Sequence, residues 1–139
     1  MAGSMTEGSP GARARPLSPH LQVWRWHVTL ATSILHRFTG AGLYVGLLIL
    51  AGWALALASG AQAYGAYTDL LGSILGKIVL FGLTVCVFFH MANGVRHLAW
   101  DFGKGFGLRT ADATAWAALA FGLAAAVAVW ILAACTGAL

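Results

Sequence analysis

The sequence predicts an all-α membrane protein with three transmembrane helices. Composition is the first observation behind this. Hydrophobic residues make up 60% of the chain and charged residues 9%, too little charge to cover a soluble domain of this length. The mean hydropathy of +0.80 agrees. The second observation is three apolar stretches, each long enough for a bilayer core that takes about 20 helical residues. The third is the lack of strand-like alternation over these long runs, which excludes a β-barrel. The net charge of +4 is spread along the chain. No Lys/Arg run is interleaved with aromatics, so the expected surroundings are lipid and not nucleic acid.

The N-terminal segment, residues 1–27, begins "MAGSMTEGSPGARARPLSPH". It has no apolar stretch of the secretory-signal kind. A mobile start is expected, then an extended stretch at "RPLSPH", where prolines disfavour helix. This segment is read as cytoplasmic or interfacial, and residues 28–139 as the transmembrane domain.

The first span is placed at about residues 29–59. Its apolar core is "FTGAGLYVGLLILAGWALALAS", Phe38 to Ser59, behind a more polar lead-in from Thr29. "SGAQAYGAYTD" reads as a short link. The second span is placed at about 70–100, most apolar from Lys77 onward. "DFGKGFGLRTAD" reads as a Gly-rich turn. The third span is placed at about 112–137 and is uncharged from Ala113 to Thr136.

Basic residues set the orientation. Arg13, Arg15, Arg25 and Arg37 precede or open the first span, and Arg96, Lys104 and Arg109 surround the second connection. The first connection carries Asp69, with Lys77 placed to snorkel beyond it. The N-terminus is therefore expected inside and the C-terminus outside. Trp24, Trp26 and Trp100 suit an inner interfacial belt. Small residues recur at four-residue spacing: Gly42 and Gly46, Gly72 and Gly76, and Ala118, Gly122 and Ala126. Such stripes serve either packing within the chain or a partner subunit. Cys86 and Cys135 lie in apolar runs without zinc or redox spacing and read as packing thiols.

Chemistry concentrates in two places. "HMANGVRHLAWDFG", from His90 to Gly103, puts imidazoles at the end of an oily helix. Ionisable groups at depth are costly and usually functional. Counting back from Asp101, His90 lies about 16 Å below the inner end. His97 is near the headgroups, on the same face seven residues on. The sharp reading of His90 is haem iron ligation; the competing one is a histidine satisfied by a neighbouring helix. His90 and His97 are about 10 Å apart on one helix and cannot serve one iron. His36 matches His97 better in depth, so a partner chain is the simpler source of a second ligand. Gly94, one turn from His90, leaves room for a flat ring.

The other place is "SILHRFTG". Ser33, His36 and Arg37 fall at i, i+3 and i+4 on one helix side. They share a membrane level with Arg96, His97 and Asp101. Arg37 and His36 suit haem propionates, and Ser33 offers a donor to a quinone carbonyl. The competing reading is snorkelling of Arg and His toward water.

"RPLSPHLQVWRW", "SILHRFTG" and "HMANGVRHLAWDFG" together resemble the larger cytochrome b membrane subunit of succinate dehydrogenase, respiratory complex II. The resemblance covers nearly all of residues 15 to 137. It implies a three-helix half of a heterodimeric haem-binding bundle, completed by a smaller second anchor subunit that supplies the other haem ligand. It makes His90 the axial ligand of haem b, His36 a neighbour of the propionates, and Ser33, Arg37 and Asp101 the lining of a ubiquinone site, with His97 secondary. It also implies docking of an iron–sulfur and a flavoprotein subunit on the inner face.

The expected function is transfer of electrons from the iron–sulfur subunit to ubiquinone. Two alternatives stand beside it: a fumarate reductase-type anchor that oxidises quinol, and a haem-free structural anchor. The chain is not expected to be an enzyme on its own. It has no GxGxxG after a strand and no cysteine set for a cluster. The expected location is a bacterial inner membrane rather than a mitochondrial one.

Overall fold

The computed structural model describes residues 25–137. The expected N-terminal segment, with Arg13, Arg15 and Trp24, lies outside them except for its last three residues. Four helices follow: α1 Val28–Ala58, α2 Ala61–Gly72, α3 Ile74–Asp101 and α4 Leu108–Cys135. Helices α1, α3 and α4 are long and apolar enough to cross a membrane. The 28 residues of α3 correspond to about 42 Å, more than the ~30 Å hydrocarbon core. The chain is an all-α, multi-pass membrane protein.

The first link differs from the sequence reading. It is itself a helix, α2, and the second span starts at Ile74 instead of near residue 70. Gly60, at φ 104°, turns the chain off α1. Ser73 then breaks the path and caps α3 by accepting from the Gly76 amide at 3.1 Å, the role a serine fills at a helix start. Helix α2 is clamped to α1 by Tyr67, whose hydroxyl donates to the Ile49 carbonyl at 2.8 Å. Gly52 leaves the space for that hydroxyl. The second link is also shorter than read, because α4 begins at Leu108.

Helix α3 ends in a Schellman motif. Gly103, at φ 73°, donates to the Trp100 carbonyl at 2.8 Å, and Lys104 to the Ala99 carbonyl at 3.0 Å. The left-handed φ favours glycine there, and the motif holds Lys104 at a fixed place below the helix end.

Two of the three small-residue stripes pack between helices of the chain; Gly72 is exposed with nothing within reach of a Cβ, and Gly76 meets only the neighbouring Leu70 and Leu71 backbone. Ala115, Ala118, Gly122 and Ala126 of α4 are buried. A Cβ at Gly122 would stand 2.8 Å from Phe89 Cβ and 2.9 Å from its Cα, so α3 and α4 meet nearly backbone to backbone. Gly42 and Gly46 serve α1 against Cys86 and Leu83 of α3. Both cysteines are free thiols. Gly122→Leu is expected to force α4 off α3 and cost about 1–3 kcal/mol. A thermal melt of the detergent-solubilised protein checks this, and an unchanged midpoint would contradict the seam.

Candidate functional site: a histidine stack between α1 and α3

Antiparallel packing brings the start of α1, the end of α3 and the start of α4 to one end of the molecule. His27 Nε2, just before α1, lies 3.3 Å from Asp112 Oδ1 of α4. The pair is partly exposed, and such pairs contribute at most about 1 kcal/mol.

His36 of α1 enters between the two histidines of α3. Its ring stacks on His90 with centroids 3.8 Å apart and planes 14° from parallel. His97 lies 5.0 Å away on its other side. The expectation that His36 matches His97 better in depth is therefore corrected. His36 is eight residues into α1, about 12 Å, while His97 and His90 are about 6 and 16 Å from the end of α3. Its level falls between theirs, and it reaches both. Gly94 faces this imidazole, not an open slot: His36 Cε1 is 3.9 Å from where its Cβ would be. Gly40 does the same for His90, at 3.2 Å.

Thr39 meets the His90 ring at Nδ1. Its hydroxyl has one proton and donates it to the His36 carbonyl at 3.0 Å. Thr39 Oγ1 also lies 3.2 Å from His90 Nδ1. When that proton stays on the carbonyl, the oxygen accepts from Nδ1–H and Nε2 keeps its lone pair. No hydrogen bond engages His90 Nε2 among the described residues. A neutral imidazole held at Nδ1 and free at Nε2 is the form that ligates a metal. His36 cannot be the opposite ligand of the same ion, because it lies on the face of the His90 ring and ligands point in-plane. Among the described residues, no group of three or more His, Cys, Asp or Glu side chains is arranged to hold a metal ion. His36 Nδ1 is buried without a partner among the described residues.

The remaining sequence-selected residues separate. Ser33 is half-buried and Arg37 exposed on the α1 flank beside His36, and Asp101 is exposed at the end of α3. Neither Ser33 nor Arg37 has a hydrogen bond or ion pair among the described residues. His97 makes an edge contact with Trp100, centroids 5.0 Å apart.

Arg96 leaves the cluster that its membrane level suggested. It points about 100° away from His97 around the helix, toward α4, and is 6% exposed. Its Nε donates to Thr114 Oγ1 at 3.1 Å and its Nη2 to the Ala111 carbonyl at 3.1 Å. Its Nη1 donates to Asn93 Oδ1 at 3.2 Å and Thr32 Oγ1 at 3.4 Å. The guanidinium also lies over Trp100, 4.1 Å from the ring centroid. One side chain thus ties α1, α3 and α4 together beneath the stack. Sequence reasoning gave no role to Thr39, Gly40, Asn93, Thr32 or Thr114. The available signal was spacing, since Thr39 and Gly40 are at i+3 and i+4 from His36.

Comparison with known proteins agrees with this architecture. The family described as "Succinate dehydrogenase/Fumarate reductase transmembrane subunit" matches residues 11–138. The chain is 32% identical over 117 residues to a succinate dehydrogenase cytochrome b556 subunit of Rickettsia felis, covering 84% of this chain and 91% of that one. It is 35% identical over 113 residues to the corresponding subunit of Paracoccus denitrificans, covering 81% and 87%. Against the mitochondrial cytochrome b560 subunit of Homo sapiens it is 39% identical over 93 residues, covering 66% and 55%. With three membrane-crossing helices and these matches, the chain belongs to the family of cytochrome b membrane-anchor subunits of succinate dehydrogenase.

Proposed function

We propose that this chain holds one side of a b-type haem at His90 and lines a ubiquinone site at the inner end of α1. The single observation that carries the haem reading is the Thr39 contact at His90 Nδ1, which leaves Nε2 without a hydrogen-bond partner among the described residues. A second ligand to the iron would come from a smaller anchor subunit, since His36 is stacked on the His90 face and His97 is seven residues along the same helix. His36, with Nδ1 buried and unpartnered among the described residues, and Arg37 are placed to receive the propionates. When bound, the haem supplies one-electron redox capacity beside the route from the iron–sulfur subunit to ubiquinone. The flavoprotein subunit carries the dehydrogenation chemistry.

Ser33, Arg37 and Asp101 serve the quinone. Ser33 donates to a head-group carbonyl, and Arg37 supplies a fixed positive charge as negative charge develops on reduction. Their partial exposure leaves the site open for partner subunits to complete. Ser33→Ala removes one hydrogen bond, worth about 0.5–1.5 kcal/mol, and should slow quinone reduction by roughly tenfold at most. Arg37→Leu should cost more. Both variants should keep succinate oxidation with a soluble dye acceptor. The test is the ratio of quinone to dye activity in assembled complex; an unchanged ratio in both would reduce these residues to an interfacial role.

The proposed location is a bacterial inner membrane, with the N-terminus cytoplasmic. Arg25, Arg37, Arg96, Lys104 and Arg109 gather at one end, against Lys77 at the other. Reporter fusions at Leu139 and in the Lys104 loop should report opposite sides. Cytoplasmic activity at Leu139 would overturn this orientation.

A further inference from the structure

A groove of about 500 Å³ runs between α3 and α4, away from the histidine stack. That is within the range of small-molecule sites, about 300–1,000 Å³. Met91, Val95, Ala117 and Phe121 form its apolar walls, and Trp100 and Lys104 line it at the turn end. Alanines at the floor leave the space unfilled. Met91 is 50% exposed and Val95 62%, so the groove is continuous with the surface that faces the bilayer. From Met91 to the end of α3 it follows ten residues, about 15 Å.

Its turn end is positive. Lys104 is exposed and set in place by the Schellman motif. Arg96 also lines the groove. Its four hydrogen bonds engage four of the five guanidinium N–H groups, leaving one by the usual inventory. Asp112 of α4 acts on the Arg96 charge from beyond ion-pair distance, and no residue that lines the groove is acidic. An apolar channel open to the bilayer, closed at interfacial depth by two cations, is complementary to a lipid with an anionic head.

We infer that the α3–α4 groove binds an anionic phospholipid, with an acyl chain along Val95 and Phe121 and its phosphate at Lys104 beside Arg96. This goes beyond the haem and quinone reading and does not depend on it. A protein helix in the same place would have to bring a carboxylate to the inner interface, where phosphate is already abundant. The lipid acts as a wedge that fills the space alanines leave between two helices at their cytoplasmic ends.

The experiment uses the assembled complex, stripped with detergent and then exposed to mixed micelles of phosphatidylglycerol or phosphatidylcholine. Retained lipid is counted by native mass spectrometry. The wild type should hold one phosphatidylglycerol per chain that phosphatidylcholine does not replace. Lys104→Glu, on an exposed turn, should weaken that retention by roughly fivefold or more. Ala117→Phe should block it by filling the groove. Equal retention in wild type and both variants would overturn the proposal. So would a cross-link from Ala117→Cys to a neighbouring subunit, because it would show that protein covers the groove.

Discussion

His90→Leu is expected to remove the b-haem absorption from the assembled complex while leaving the three-helix fold intact. Leucine offers no lone pair, and no other histidine of α1 or α3 is placed to replace it. His36 is held face-on in the stack, and His97 lies about 10 Å further along the helix. The fold should survive because Thr39 still donates to the His36 carbonyl and the α1–α3 seam at Gly42 and Gly46 does not involve His90. His97→Leu should perturb the spectrum far less, since it loses only edge contacts with Trp100 and the outer side of the stack. Loss of haem in His97→Leu with retention in His90→Leu would reverse the assignment.

Arg96→Leu is expected to give the largest loss of stability. Hydrogen bonds to a charged group are worth about 1.5–3 kcal/mol each, but the partners differ in what they lose. Thr32 and Thr114 keep bonds to their own helices, to Val28 and Thr110. Asn93 is fully buried and would be left with Oδ1 unpaired in addition to Nδ2. A net loss of about 2–4 kcal/mol follows, typical of breaking a buried network. Arg96→Lys should recover part of it, since an ammonium cannot reproduce the planar fork. Thermal melts of both variants in detergent check the ranking. A leucine variant as stable as wild type would remove Arg96 from the account of how the three helices are held at this end.

The three membrane helices were legible because hydropathy over some 20 residues is a strong signal that neighbours cannot reverse. Helix α2 was not. Its 12 residues carry Gly65 and end at Gly72, before Ser73, so composition alone reads it as a link, and it is secured to α1 by Tyr67. His90 stood out as an imidazole in an oily run. Its surroundings did not, because they depend on where two helices cross. A shift of a few ångströms in that crossing decides whether His36 meets His90, His97 or both. Arg96 shows the same limit in rotation. Its membrane level was legible, but membrane level does not distinguish a side chain facing the stack from one turned into α4. Thr39 and Gly40 lay in full view within "SILHRFTG", yet a hydroxyl gains a role only once the imidazole it contacts is placed.

Low-temperature EPR of the purified wild-type complex, combined with its reduced-minus-oxidised absorption spectrum, tests the central claim most directly. The account predicts one low-spin b haem per copy of this chain, with two imidazole ligands, of which this chain gives one. A complex active toward succinate that carries no haem, or a haem that stays low-spin and fully ligated in His90→Leu, would contradict it.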